Sequence, residues 1–245
     1  MNTIKHTFDF LVAHQKCTTP LEYILEILPK CTTNGPWVAG GALLRTYTEK
    51  PLDSDIDVFF QSQEQMTQFV SQIVLNAYTG LEEDMNSSHY TTKDNIVSEW
   101  QWHTTITINY MQRDWKIQCV SFIYFKDVGE LFDSFDFDVC MLAYDGESIH
   151  VSESTMDAIN NKKIVLKKIN YPSVTLKRLV KYMRQGYDIN DNDVMMLARS
   201  FRGVKEPKGI LDEHFGITTF SKKSTSGDDY WSLGVKPVTL TLGTP

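Results

Sequence analysis

Two neighbouring stretches decide the reading: Val38-Ala39-Gly40-Gly41-Ala42-Leu43-Leu44-Arg45 and Ser54-Asp55-Ile56-Asp57-Val58-Phe59. The first reads as a short apolar strand, Trp37-Val38-Ala39, a glycine pair, and a helix-prone segment from Ala42 to Tyr47. The second reads as a strand that runs on into Phe60 and is therefore central rather than exposed. Residues at i and i+2 of a strand project to one face, so Asp55 and Asp57 stand side by side. Two like charges on one side of a buried strand repel and lose hydration. A divalent cation with oxygen ligands relieves both costs, and Mg²⁺ commonly uses one or two carboxylates plus substrate phosphates. Glycines without a Cβ let the backbone approach a phosphate, and the helix start beyond them favours an anion. Together these features point to metal-assisted phosphoryl or nucleotidyl transfer. Taken singly, each has a plainer reading: a tight turn for the glycines, a solvated strand face for the carboxylates.

The 245 residues suit one large domain or two small ones. With 42% hydrophobic and 22% charged residues the composition is that of a globular protein able to bury a core without staples. A formal net charge of −7 disfavours a general nucleic-acid coat or a membrane-surface protein, while leaving room for a local basic patch. No apolar run approaches a membrane helix, and the N-terminus lacks a signal-peptide core. The four cysteines, Cys17, Cys31, Cys119 and Cys140, show no CxxC spacing, which fits a reduced, cytoplasmic setting.

Outward from the central motif, Thr19, Pro20 and Glu22 open a helix whose apolar face is Leu21, Ile24, Leu25 and Leu28. Ser62 and Gln65 cap a second helix with Met66, Phe69, Val70, Ile73, Val74 and Ala77 on its buried face. Residues 80–100 are polar and read as a long loop or insertion. Strands are expected over residues 103–111, 115–125 and 136–144, with a turn at Gln112-Arg113-Asp114. A basic helix is predicted from about Pro172 to Gln185 and a shorter one over 193–201. In the former, Lys177, Lys181 and Arg184 fall on one stripe, opposed by Leu176, Leu179, Val180 and Met183. The basic stripe reads either as a solvated face or as a contact to nucleotide or RNA phosphate. Trp100, Trp102, Tyr110 and Trp115 read as base-stacking or cross-strand packing residues. His89, His103 and the other histidines show no zinc spacing. From Gly216 onward the composition is that of a polar tail, flexible or docked. The order of elements implies an α+β (mixed α/β) fold.

The pattern Gly40-Gly41…Arg45…Ser54-Asp55-Ile56-Asp57 closely resembles the nucleotidyltransferase signature of the polymerase-β superfamily. It is most similar to the head of class II tRNA nucleotidyltransferases and bacterial poly(A) polymerases. Phe135-Asp136-Phe137-Asp138-Val139-Cys140-Met141-Leu142-Ala143-Tyr144 resembles that family's second motif, and Ile164 to Tyr187 resembles the neck helix. The resemblance implies a head over residues 1–150, in which a mixed sheet is flanked by helices, a short helical neck over 151–215, and a tail over 216–245. It implies Asp55 and Asp57 as catalytic ligands of Mg²⁺ or Mn²⁺, and Gly40, Gly41, Arg45 and Ser54 as nucleotide-binding residues, joined by Lys177, Lys181 and Arg184 from the neck. Arg45 reads equally as a salt bridge to Asp53 or Asp55.

Three departures bear on the chemistry. Gln118 stands where the family places a third carboxylate, so Asp136 or Asp138 is expected to substitute. Phe135 replaces the second motif's arginine. The residues that read the incoming base are not evident around Asn170–Arg178, and the segment after the neck is too short for the family's RNA-binding body. The implied reaction moves NMP from an NTP, ATP or CTP, to an acceptor hydroxyl on an RNA or tRNA 3′ end, a protein or a small molecule, releasing pyrophosphate. The alternative is a catalytically inactive member of the fold that serves as a nucleotide-binding or protein-interaction module. The compact motif set fits a viral or mobile-element gene, hence the host cytoplasm.

Overall fold

The computed structural model describes residues 3–7, 20–83, 97–99, 103–110, 113–202, 217–225 and 228–235. The chain divides into two compact units, one of residues 1–168 with 186–190, the other of residues 169–185 with 191–245.

The first unit is built on an eight-stranded sheet in the order β1-β8-β7-β2-β3-β6-β5-β4. Its strands are β1 (Thr3–Thr7), β2 (Trp37–Ala39), β3 (Ile56–Phe59), β4 (Val97–Glu99), β5 (His103–Tyr110), β6 (Arg113–Val120), β7 (Leu142–Tyr144) and β8 (Ser148–Ser152). Every neighbouring pair is antiparallel except β3 and β6, which run parallel. The fold is therefore α+β with a mixed sheet. Arg113 begins β6 instead of lying in a turn, because the β5–β6 ladder pairs it with Tyr110.

Helices follow the apolar spacing. In α1 (Pro20–Ile27), Leu21 and Ile24 are fully buried and Leu28 follows them inward. Thr19 lies outside the described residues. α2 (Gly41–Tyr47) packs on β2, β3 and β7 through Ala42, Leu43 and Leu44. α3 (Gln63–Glu83) starts where Ser62 Oγ accepts the Gln65 amide at 3.2 Å and Gln65 Oε1 accepts the Gln61 amide at 2.8 Å. The helix thus takes up the first residues of the segment read as a loop; residues 84–96 lie outside the description. α4 (Val128–Phe132) is capped by Asp127, whose Oδ1 accepts the Glu130 amide at 2.9 Å.

On one face of the sheet, Trp37, Ala39 and Ala143 join Met141, Phe125 and the α4 residues Val128, Leu131 and Phe132 in a single apolar cluster, with Phe59 and Phe135 against it. Phe59 meets Phe125 and Phe135 edge-on, with ring centroids 6.0 and 5.9 Å apart.

The strand expected over residues 136–144 is shorter than its apolar pattern. Asp138–Cys140 form a 3₁₀ turn, and only Leu142–Tyr144 pair as β7. The cause is polar. Thr155 Oγ1 donates to the carbonyl of Asp138 at 2.9 Å, and Asp138 Oδ1 accepts the Val165 amide at 2.9 Å. Thr155 sits in α5 (Glu153–Asn161), capped by Ser152. β9 (Lys163–Ile164) pairs in parallel with β10 (Asp188–Ile189).

In the second unit α6 (Pro172–Arg184) packs on α7 (Asp191–Ser200), and β11 (Ile217–Thr225) pairs with β12 (Asp228–Val235). The inward face of α6 is Val174, Thr175, Leu179 and Tyr182. This corrects the expected apolar stripe: Leu176, Val180 and Met183 are exposed, and of that set Leu179 alone is buried. Tyr182 fills the inward position because Thr175, Leu179 and Tyr182 share one stripe of a helix with 3.6 residues per turn. Cys31, Cys119 and Cys140 are free, and burial pushes the Cys31 and Cys119 thiols up to about 12. No helix among the described residues is long and apolar enough to cross a membrane.

The β7–β8 turn holds a buried polar pair. His150 Nε2 lies 2.6 Å from Asp145 Oδ2, while Asp145 Oδ1 accepts the amides of Glu147 and Ser148 at 3.0 and 2.7 Å. Burial opposes the Asp145 charge, yet the bonds from His150, Ser148 and Glu147 outweigh it and hold the carboxyl below its usual range. Asp145→Ala strands His150 and two turn amides, so unfolding free energy falls by about 2–4 kcal/mol at neutral pH. The Asp145 contribution is complete above the unfolded carboxylate pKa and is lost as pH falls through the lowered folded value. In denaturant titrations the gap between the two proteins should therefore begin to narrow below roughly pH 4 and close only beneath the lowered folded value.

Candidate active site

Register places the central motif. Ala39 of β2 lies opposite Asp57 of β3, and Asp57 lies opposite Gln118 of β6. Paired residues share a face, so Asp57 and Gln118 project together, and Asp55 joins them two residues back along the chain. Thr105 of β5, paired with Gln118, completes the row. Ile56 and Val58 turn to the opposite face and are buried. The Asp face changes character along its length: Phe59 enters the aromatic cluster, while Asp57 and Asp55 are half-buried beyond its edge.

Gln118 Nε2 donates to Asp55 Oδ2 at 3.0 Å. The position that sequence reading reserves for a third acid thus supplies a neutral donor. It withdraws one acceptor site of Asp55 and adds no charge to the pair.

Gly40 brings the backbone to this face. It links β2 to α2 with φ +82° and ψ −134°, a conformation that strains an L side chain. Its N–H donates to the Leu142 carbonyl at 3.0 Å, and its carbonyl accepts the Leu44 amide at 3.1 Å. A Cβ on Gly40 would stand 3.8 Å from Asp57 Oδ2 and 3.8 Å from the Phe135 ring. The glycine therefore sits in contact range of the carboxylate, and Phe135, standing where the resemblance implies an arginine, supplies an apolar wall. Gly41 opens α2.

Two arginines brace the loop leading to Asp55. Arg45 Nη1 lies 2.7 Å from Asp53 Oδ1 and donates to the Pro51 carbonyl at 3.1 Å. Of the two ion-pair partners expected for Arg45, the structure selects Asp53. Arg113 Nη2 donates to the Leu52 carbonyl, and its guanidinium lies 4.2 Å from the centre of the Trp115 ring. Sequence reading missed Arg113, since an arginine at a strand start carries no signal of the carbonyl it will meet. Ser54 Oγ is buried with no hydrogen-bond partner among the described residues. Trp115 Nε1 donates to the Tyr110 carbonyl at 3.1 Å, a packing role within the hairpin; Trp100, Trp102 and His89 lie outside the described residues.

Asp136 and Asp138 are both almost fully buried, at 2% exposure. The Asp136 carbonyl accepts the Lys167 amide at 2.7 Å. Burial pushes the Asp138 carboxyl up to about 6, against the Val165 and Val139 amides and the Lys167 charge. Among the described residues no three His, Cys, Asp or Glu side chains gather to hold a metal ion. The arrangement offers a pair, Asp55 and Asp57, without a third acid. A pair fits Mg²⁺, which completes its shell with phosphate and water oxygens. Lys177, Lys181 and Arg184 lie exposed along α6 in the second unit.

Residues 4–162 match the sequence profile of Gad2, the Gabija anti-defense 2 family. A curated protein named Gabija anti-defense 2, from Bacillus phage SPbetaL7, is 28% identical over 178 residues, or 71% of this chain and 39% of that protein. The chain thus spans about two fifths of the curated relative it matches. Among solved structures, the Thermotoga maritima CCA-adding enzyme complexed with tRNA aligns with a TM-score of 0.56 at 12% identity, over 82% of this chain and 46% of that one. A CCA-adding enzyme in its apo form aligns with a TM-score of 0.54 at 10% identity, over 88% of this chain and 49% of that one. A third, in complex with CTP, aligns with a TM-score of 0.51 at 11% identity, over 82% and 45%. At these identities the likeness is one of fold: that of the polymerase-β-like nucleotidyltransferases.

Asp138→Asn keeps an acceptor for the Val165 amide and removes the buried charge. The wild type should lose roughly 1–3 kcal/mol relative to this variant between pH 4 and pH 7, because its folded pKa is raised and the folded state holds the proton longer. Chemical denaturation across that range measures the difference, and a constant gap would deny the buried acid. Gln118→Glu places a third carboxylate on the Asp55–Asp57 face. In EDTA it should lower stability by about 1 kcal/mol through like-charge repulsion. Titration calorimetry with Mn²⁺ should show binding tightened by about tenfold.

Proposed function

The chain belongs to the Gabija anti-defense 2 family, and from that membership together with the site geometry we propose that it is a metal-dependent nucleotidyltransferase. An acceptor hydroxyl oxygen bonds to the α-phosphorus of an NTP, the α–β bridging P–O bond breaks, pyrophosphate leaves, and the hydroxyl proton passes to solvent. The observation that carries this reading is the juxtaposition of Asp57 with Gly40, with Asp55 on the same face. Asp55 and Asp57 would hold a divalent cation, which would supply charge neutralisation for the triphosphate and lower the pKa of the acceptor hydroxyl. The chain's own residues do the rest. Gly40 and Gly41 leave room for phosphate against the backbone, and the Gln118 amide orients Asp55. Arg45 and Arg113 hold the 51–53 loop that leads into Asp55.

ATP or CTP is the proposed donor, and an RNA or tRNA 3′ end the proposed acceptor; the solved relatives named above bind tRNA and CTP. The charge distribution supports a phosphate-rich acceptor. By sequence the first unit carries 13 Lys and Arg against 24 Asp and Glu, whereas the second carries 11 against 7. On α6 the exposed Lys177, Lys181 and Arg184 present that charge as one stripe. The phage relative supports action in the cytoplasm of an infected host, where the transfer would serve the anti-defence role in the family's name.

A second reading, a nucleotide-binding module without turnover, is favoured by one observation: Gln118 occupies Asp55 where a third acid would act. Incubation with labelled NTPs, Mg²⁺ and RNA separates the two. The wild type should incorporate label, and Asp55→Ala and Asp57→Ala should reduce incorporation by at least about 10³-fold with the melting temperature retained. Mg²⁺-dependent NTP binding without incorporation selects the second reading.

A further inference from the structure

Three segments of the first unit converge on one aromatic ring. Tyr187 is 4% exposed, and the chain after it pairs as β10 with β9, the Asp188 amide donating to the Lys162 carbonyl at 2.7 Å. Lys162, at the end of α5 with φ +54°, holds its Nζ 4.5 Å from the centre of the Tyr187 ring and donates to Tyr187 Oη at 3.4 Å. Lys50, from the α2–β3 loop, holds its Nζ 5.9 Å from the same centre. Both ammonium groups therefore lie within a separation comparable with the roughly 8–10 Å screening length at physiological salt.

Neither ammonium group of this convergence has a carboxylate within ion-pair distance among the described residues, although acidic side chains outnumber basic ones in this unit by 24 to 13. Asp188 follows Tyr187 in the chain and Glu49 precedes Lys50, yet neither forms an ion pair with these two lysines among the described residues. Burial and then the Lys50 charge lower the Lys162 ammonium. Aromatic faces attract ammonium groups and account for where the lysines rest, but they do not cancel like-charge repulsion.

We propose that Lys50 and Lys162, seated on Tyr187, form a binding site for a phosphate-type oxyanion bearing several charges. Lysine acts on phosphate as a compact point charge, whereas a planar carboxylate is met better by an arginine fork. The phosphates belong either to a free polyphosphate chain or to a nucleic-acid backbone. The site uses neither Asp55 nor Asp57 and needs neither a metal nor turnover.

The probes are tripolyphosphate and a 12-nucleotide RNA, each titrated calorimetrically into the full chain in EDTA. Lys50→Gln combined with Lys162→Gln should weaken binding by at least about tenfold, and the wild-type affinity should fall with added salt. Lys163→Gln should leave affinity unchanged, and Lys162→Arg should restore most of it. The single variant Lys50→Gln, outside the α5 terminus, serves if the double variant melts early. Binding of tripolyphosphate identifies a free polyphosphate, and binding of RNA alone identifies a strand. Equal affinity in wild type and Lys50→Gln, or absence of binding by both probes, overturns the site. Asp55→Ala and Asp57→Ala should bind both probes as the wild type does, so loss of the transferase reading leaves this result standing.

Discussion

The first unit of this protein is organised around a repulsion. Two carboxylates, two residues apart on the strand face that also carries Phe59, stand about 6–7 Å apart at the backbone. The fold keeps them usable by stopping the aromatic cluster short of them. Trp37, Phe59, Phe125 and Phe135 seal one end of the face, while Asp57 and Asp55 remain half-buried at the other. Gly40 closes the third side, its Cα close to Asp57 because β2 and β3 pair Ala39 with Asp57. A side chain at Gly40 would find ordinary contact distances; it is the positive φ that reserves the position for glycine.

Gln118 tempers that repulsion. A carboxylate there would place a third negative charge within hydrogen-bond reach of Asp55, and its tolerance would rest entirely on a cation. The amide lets the site persist without one, since a hydrogen bond to a charged group is worth about 1.5–3 kcal/mol in a favourable setting and less where water competes. The same economy governs the loop before Asp55. Its carbonyls at Pro51 and Leu52 are taken by Arg45 and Arg113 from two different elements. The Arg45–Asp53 ion pair is exposed on the Asp53 side and adds little stability by itself. Its consequence is geometric, because it limits where Asp55 can point.

The second motif shows how a polar network overrides an apolar pattern. Residues 136–144 carry the alternation of a strand, but Thr155, capped by Ser152, claims the Asp138 carbonyl, and the Val165 amide claims the Asp138 carboxylate. Once those bonds form, a 3₁₀ turn satisfies the backbone and only three residues remain to pair as β7. Asp136 and Asp138 consequently leave the sheet face on which strand geometry would have set them.

Sequence by itself determined the local facts. The glycine pair, the DxD spacing and the alternation of Ile56 and Val58 with Asp57 and Phe59 required a central strand at the acid pair; β3 begins at Ile56 and carries Asp57, with Asp55 immediately before it. Spacing likewise required α1 and α3, in which Leu21, Ile24, Phe69 and Ile73 are buried. Tertiary structure decided everything that depends on partners distant in the chain. It chose Asp53 over Asp55 for Arg45 and set Gln118 against Asp55 from 63 residues away. It also turned Leu176, Val180 and Met183 outward on α6 and gathered Lys50, Lys162 and Tyr187 from three segments. Periodicity reports which residues share a side of an element. Which side is covered, and by what, is settled only when another element arrives.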